Sequence, residues 1–124
     1  MELVYLLDTN AIINLFRFEK TIFGIKYYFS IITELELLSY SEISKEETNH
    51  IKHYCNDNGR LVVDKEILEK TIELRKLYKM KLPDAIICGS AYRYDLVLVT
   101  DDKKLHGIKE IKTVEFQDFI KSGN

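Results

Sequence analysis

The chain lacks most of what would tie it to a membrane, a zinc site or a disulfide framework. Every apolar run is broken by Lys, Arg, Glu or Asp well short of the roughly 20 residues a membrane span needs. Its two cysteines, Cys55 and Cys88, stand far apart and outside any Cys-x-x-Cys or Cys/His ligand spacing. That argues against structural zinc and for reduced, buried thiols in a cytoplasmic protein. Met1-Glu2-Leu3-Val4-Tyr5 has neither the basic start nor the cleavage site of a secretory leader, which agrees with a cytoplasmic location. Repeats, low-complexity tracts, a Gly-rich phosphate loop and a Ser-His-Asp pattern are all missing.

An excess of positive charge is missing as well. The 18 Lys and Arg face 20 Asp and Glu, a net charge of −2. Phosphate contacts need Lys and Arg, so this balance gives no support to a nucleic-acid partner. Without Asp8, Glu36, Asp84 and Asp102, 18 basic residues would face 16 acidic ones, a balance of +2. Charge therefore neither excludes an RNA substrate nor argues for one.

What is present fits one domain over residues 1–124, with a hydrophobic share of 46% and a charged share of 31%. Leu3-Val4-Tyr5-Leu6-Leu7 predicts a buried strand, and Ala11, Ile12, Leu15 and Phe16 a short helix to about Phe18. Residues 26–32, rich in aromatic and β-branched side chains, predict a second strand, with a helix starting at Thr33. Residues 41–58 read as an exposed helical segment closing at Asn58-Gly59, followed by a brief strand Leu61-Val62-Val63. Asp64 is set to cap a helix striped by Ile67, Leu68, Ile72, Leu74 and Tyr78. Pro83, the only proline, fits the first turn of the next helix. Leu96 to Val99 is the clearest buried strand; residues 108–114 supply a last short one and residues 116–120 a terminal helical turn. Alternating strands and helices predict an α/β domain with a mostly parallel sheet, whose sites form outside the strands' carboxyl ends.

Four acids border the apolar segments: Asp8 after the first strand, Glu36 in an early helix, Asp84 opening a helix, and Asp102 after the Leu96–Val99 strand. Each has an ordinary explanation. Asp8 could cap a helix, Thr33 and Glu36 fit a capping box, Asp84 suits a helix's first turn, and Asp101-Asp102 could be a solvated turn. Together they suggest a gathering of negative charge that a hard divalent cation would relieve.

The combination Leu7-Asp8-Thr9-Asn10, Ser30-Ile31-Ile32-Thr33-Glu34-Leu35-Glu36-Leu37, Leu82-Pro83-Asp84-Ala85 and Leu98-Val99-Thr100-Asp101-Asp102 resembles the PIN-domain ribonucleases, most closely their VapC-like toxin members. The likeness covers nearly the whole chain, in order and at family-like separations. It implies a PIN-like three-layer α/β/α domain and a metal-dependent endoribonuclease. One or two Mg²⁺ or Mn²⁺ ions would be held by Asp8, Asp84, Asp102 and, through water, Glu36. Family spacing selects Glu36 over Glu34 and Asp102 over Asp101. Thr9, Asn10 and Thr100 would orient the carboxylates or a water. The resemblance also implies a VapB-like antitoxin whose basic tail residue pairs with the acids, and a homodimer. One departure is Leu105, where many relatives carry an aromatic residue.

Arg17, Lys20, Lys81, Lys103 and Lys104 flank the acidic segments and are candidate phosphate contacts, or simply a solvated surface. His50 and His53 lie at i,i+3 without a third ligand nearby and read as surface residues, and Tyr27-Tyr28-Phe29 as strand core. The early helix, with Ile12, Ile13, Leu15, Phe16 and Phe18, is more apolar than one buried face requires, which points to a partner contact. Competing readings are a catalytically silent PIN scaffold that binds RNA or protein, and a receiver-like signalling domain. The latter lacks its paired acids after the first strand and its late Lys-Pro. An Asp-x-Asp phosphatase fails because residue 10 is Asn.

Overall fold

The computed structural model describes residues 3–17 and 26–122, so Phe18 and Lys20 lie outside the described residues. Within them the chain runs β1 (Val4–Leu7), α1 (Thr9–Arg17), β2 (Lys26–Ser30), α2 (Ile31–Leu38), α3 (Lys45–Asp57), β3 (Gly59–Leu61), α4 (Lys65–Tyr78), α5 (Leu82–Arg93), β4 (Val97–Val99), β5 (Lys112–Val114) and α6 (Phe116–Ser122). A single 3₁₀ turn, Leu105–Gly107, precedes β5. The strands form one sheet in the order β3-β2-β1-β4-β5, and every pairing is parallel. Among the described residues no helix is long and apolar enough to cross a membrane.

Alternation along the central strands splits the interior in two. Tyr5, Leu7, Val97 and Val99 face one side, where Ala11, Ile12 and Leu15 of α1, Ile51 and Cys55 of α3, and Phe119 and Ile120 of α6 meet them. Leu6 and Leu98 face the other, against Leu74 of α4 and Ile87, Cys88 and Ala91 of α5. Successive strand side chains point to opposite faces, so a strand covered on both sides must be apolar at every position. This is the three-layer α/β/α arrangement, with the Val4–Leu7 strand at its centre. Leu6 and Leu98 are fully buried, each worth about 1.5–3 kcal/mol of apolar burial.

Three expectations are corrected. First, α2 begins at Ile31 rather than Thr33: the Ser30 hydroxyl accepts from the Ile32 amide at 3.1 Å and caps the helix. Thr33 is therefore buried inside the helix, and the Thr33–Glu36 capping box does not form. A true capping box opens α3 instead, between Ser44 and Glu47. Second, β3 lies two residues earlier than expected, with Gly59 opposite Tyr28. The Tyr28 ring occupies the space that a Cβ at Gly59 would take, while Val62 and Val63 stay exposed.

Third, the inward stripe of α4 is Ile67, Thr71 and Leu74, while Leu68 and Ile72 are exposed. The reason is a close helix crossing. A Cβ on Gly89 of α5 would lie 2.7 Å from the Thr71 hydroxyl oxygen, so the bare backbone at Gly89 lets the Thr71 face approach. Propensity and pattern left the face open; packing chose it. Asp64 caps α4 as expected, accepting from the Ile67 amide at 2.8 Å.

Candidate functional site

The parallel register places the ends of β1 and β4 side by side, with Leu7 opposite Val99. One further ladder bond, from the Asp8 amide to the Val99 carbonyl at 3.1 Å, carries the pairing to the point where both chains leave the sheet. Asp8 and Thr100 therefore emerge together. Asp8 is only 8% exposed, and its Oδ1 accepts from the Ala11 amide at 2.8 Å, so it also caps α1. Burial pushes its carboxyl above the usual range, opposed by hydrogen bonds with the Thr100 side chain and the Ala11 amide; the charges of Asp101 and Asp84 push it further up.

Asp84 arrives from the other direction, on the first turn of α5 behind Pro83. Burial raises its carboxyl, and repulsion from Asp102 and from Glu36 adds to that, while Lys81 and Lys104 pull it back. Asp102 is exposed and held by its backbone: its amide donates to Thr100 Oγ1 at 3.1 Å, and its Oδ1 accepts from the Lys104 amide at 3.0 Å. Thr100 thus touches two of the acids, through its hydroxyl in both cases.

Glu36 lies on the exposed side of α2, where its Oε1 accepts from the Thr9 hydroxyl at 2.7 Å. Thr9 has one hydroxyl proton, so the 3.1 Å contact with the buried Thr33 hydroxyl is a bond in which Thr33 donates. Asn10 is exposed on the first turn of α1. Glu34 does not join the acids: it pairs with Arg60 of β3, whose Nη2 donates at 2.9 Å. Asp101 accepts from the Phe116 amide at 2.9 Å and caps α6, though its charge still reaches Asp8.

The sequence reading missed His106. Its Nε2 meets the Thr100 carbonyl at 2.8 Å and its Nδ1 the Thr113 hydroxyl at 2.6 Å. A carbonyl can only accept, so Nε2 carries a proton. His106 therefore clamps the turn that presents Thr100 and Asp102. A lone histidine beside a glycine carries no spacing signal, since its partners come from β5 and the end of β4.

The remaining candidates separate cleanly. Lys81 and Lys104 line a cavity shared with Asp84 and Asp102. Arg17 lines a different groove, together with Thr9 and Glu36; Lys103 is exposed. His50 packs edge-on against Phe16 and His53 pairs with Asp57 at 3.3 Å, so both are used locally. Phe29 is core and Tyr27 accepts a hydrogen bond from Tyr54. Cys55 and Cys88 are buried free thiols, and burial pushes Cys88 up to about 12.

Among the described residues, no group of three or more His, Cys, Asp or Glu side chains stands close enough together to hold a metal ion as placed. The donors that do converge are all carboxylate, and their mutual repulsion is visible at Asp84 and Asp8. An oxygen-only, like-charged set of this kind fits a hard divalent cation and not a soft one.

A family model describing the PIN domain matches residues 5–111. Among solved structures, a toxin–antitoxin complex from Klebsiella pneumoniae is 27% identical, covering 89% of this chain and 95% of that one with a TM-score of 0.71. VapBC-1 of nontypeable Haemophilus influenzae is 20% identical over 93% of this chain and 99% of that one, TM-score 0.76. VapBC2 of Rickettsia felis, bound to a DNA fragment from its promoter, is 16% identical over 91% and 98%, TM-score 0.78. Comparison with curated proteins gives no match.

Proposed function

Since the chain belongs to the PIN-domain family, we propose that it is a metal-dependent endoribonuclease, the toxin of a VapBC-type toxin–antitoxin pair. The observation that carries this reading is the convergence of Asp8, Asp84, Asp102 and Glu36 from four separate elements, with like-charge repulsion registered at Asp84. Asp8, Asp84 and Asp102 would hold one or two Mg²⁺ or Mn²⁺ ions, with Glu36 reaching them through water. When bound, such ions lower the pKa of a water and neutralise charge on the phosphate.

The chain's own residues supply the rest. The Thr9 hydroxyl fixes one Glu36 oxygen, leaving the other for a water or cation. Thr100 orients Asp8 with its hydroxyl and anchors the Asp102 amide. Lys81 and Lys104, already close enough to act on Asp84, supply positive charge to an RNA phosphate as it approaches the acids.

A partner surface adjoins the site. Ile13, Phe16, Leu37, Tyr40 and Ile43 line a groove of about 690 Å³ that Thr9 and Glu36 also line. Several structural neighbours are toxin–antitoxin complexes, and this groove suits the apolar face of an antitoxin segment. An Arg or Lys at its end would pair with the carboxylates and block them. Leu68 and Ile72, exposed at i,i+4 on α4, suit a homodimer contact.

The direct test incubates the purified chain with total RNA and Mg²⁺, beside a folded Asp84→Asn variant. Discrete cleavage by the parent alone, abolished by EDTA, is the expected result. Equal cleavage by both would show the site to be wrong. No cleavage with either Mg²⁺ or Mn²⁺ would leave a binding-only scaffold.

A further inference from the structure

Beside the acids, between the α4–α5 connection and the turn after β4, lies a cavity of about 410 Å³. That is within the roughly 300–1,000 Å³ range of ligand pockets. It joins two kinds of surface. Tyr78, Met80, Leu105 and Ile108 give it an apolar wall, and Lys79, Lys81 and Lys104 give it cations; Asp84 and Asp102 close the end toward the site.

The wall is fixed in place. The Tyr78 hydroxyl donates to Glu110 at 2.6 Å, which sets the ring, and Arg75 Nε donates to the Met80 carbonyl at 3.2 Å, which pins the connection. Leu105 and Ile108 belong to the core and present only their outer edges. Lys79 ends α4 in the left-handed region, with φ of 55°. Glycine or asparagine adopts that conformation more readily. The chain instead places a cation at this cap, on the cavity rim.

An inorganic anion would use the lysines and ignore the apolar wall. An acidic peptide would offer carboxylates to the lysines but no flat ring for the Tyr78–Met80 wall. A nucleotide of single-stranded RNA matches both surfaces, with its flat base on the Tyr78–Met80 wall and its phosphate among the lysines. We propose that this cavity is a nucleotide subsite that receives the base next to the cleaved bond and so sets sequence preference. The proposal rests on the nuclease reading for its place in the reaction, though not for RNA binding itself.

The test measures binding of fluorescent octamers of rA, rC, rG and rU to the full chain carrying Asp84→Asn, alongside cleavage of total RNA by the parent. One homopolymer is expected to bind about fivefold more tightly than the others, because stacking strength differs between bases. Met80→Ala should bring the four within about twofold of each other. Gly107→Phe should do the same by crowding the cavity that Gly107 lines, where a Cβ would meet nothing within 4 Å. Lys79→Gln should weaken all four about equally and flatten the salt dependence.

The proposal is overturned if no homopolymer is preferred, or if both cavity variants, folded by circular dichroism, keep the parent's affinities. Cleavage by the parent with unmoved binding would sink the subsite and spare the nuclease. Variant-sensitive binding without cleavage would do the reverse.

Discussion

The Thr9 hydroxyl donates to Glu36 Oε1 at 2.7 Å, tying the first residue of α1 to the middle of α2. Behind it the buried Thr33 hydroxyl donates to Thr9. Thr9→Val keeps the shape and removes the relay. Cleavage should fall about tenfold, as for other groups that orient a metal-site carboxylate. Thr33 also loses its acceptor, costing about 1 kcal/mol in urea unfolding. Thr9→Ser should restore most of both.

Asp84 makes a prediction with a definite sign. Its carboxyl is raised in the folded chain, first by burial and then by Asp102. Between the ordinary carboxylate value, about 3.9, and the raised one, the folded state holds more protons than the unfolded state. Stability therefore falls as pH rises through that window and stays low above it. In EDTA, Asp84→Asn should melt above the parent at pH 7, with the gap shrinking toward pH 4. Saturating Mg²⁺ should invert the order, stabilising the parent by about 2.7 kcal/mol at a hundredfold excess over Kd.

His106 binds the Thr100 carbonyl and the Thr113 hydroxyl. Removing it in His106→Ala should cost about 1–3 kcal/mol, because the buried Thr100 and the half-buried Thr113 lose a hydrogen-bond partner. The rate of RNA cleavage should fall by more than the stability loss explains, since the turn bearing Asp102 loosens. His106→Gln keeps a donor and should recover part of the rate. An unchanged rate in His106→Ala would show that the clamp plays no part in presenting Asp102.

Phe16 packs edge-on against Tyr54, with ring centroids 4.9 Å apart, and lines the groove that Glu36 also lines. Phe16→Glu places a charge in that groove. Calorimetric titration with the antitoxin should show affinity falling at least about tenfold, while RNA cleavage by the free chain persists. Unchanged antitoxin affinity would move the partner surface elsewhere.

Gly89→Ala probes the α4–α5 crossing. Its Cβ would stand 2.7 Å from Thr71 Oγ1 and 3.3 Å from the Ile67 carbonyl oxygen. Overpacking of this kind costs about 1–3 kcal/mol. Urea unfolding should show that loss, and Thr71→Ala in the same chain should return part of it. The Ile67 carbonyl cannot move aside, so the return stays incomplete.

The layered fold was legible because its central strands are apolar at every position and its helices carry their own start signals, the Asp64 cap and the first-turn Pro83 among them. The four acids could be proposed as a set because each stands in a short local motif. The features that were not legible depended on distant partners. Ile31 and Ile32 have strand propensity, but the Ser30 cap drew them into a helix. The buried face of α4 was decided by Gly89, on another helix. The bond from Asp101 to the α6 amide and the pairing of Glu34 with Arg60 set those two acids apart from their neighbours. Neither partner is close in sequence. His106 was invisible for the same reason.

The turn that bears Asp102 is fastened by residues nearer the carboxyl terminus. The Thr100 amide donates to Val114 at 3.0 Å, the Phe116 amide to Asp101, and His106 reaches Thr113. On the ribosome, a nascent chain would carry all four acids before the residues that fasten the Asp102 turn had been made. The turn that presents Asp102 would take its final form only once β5 and α6 had been made.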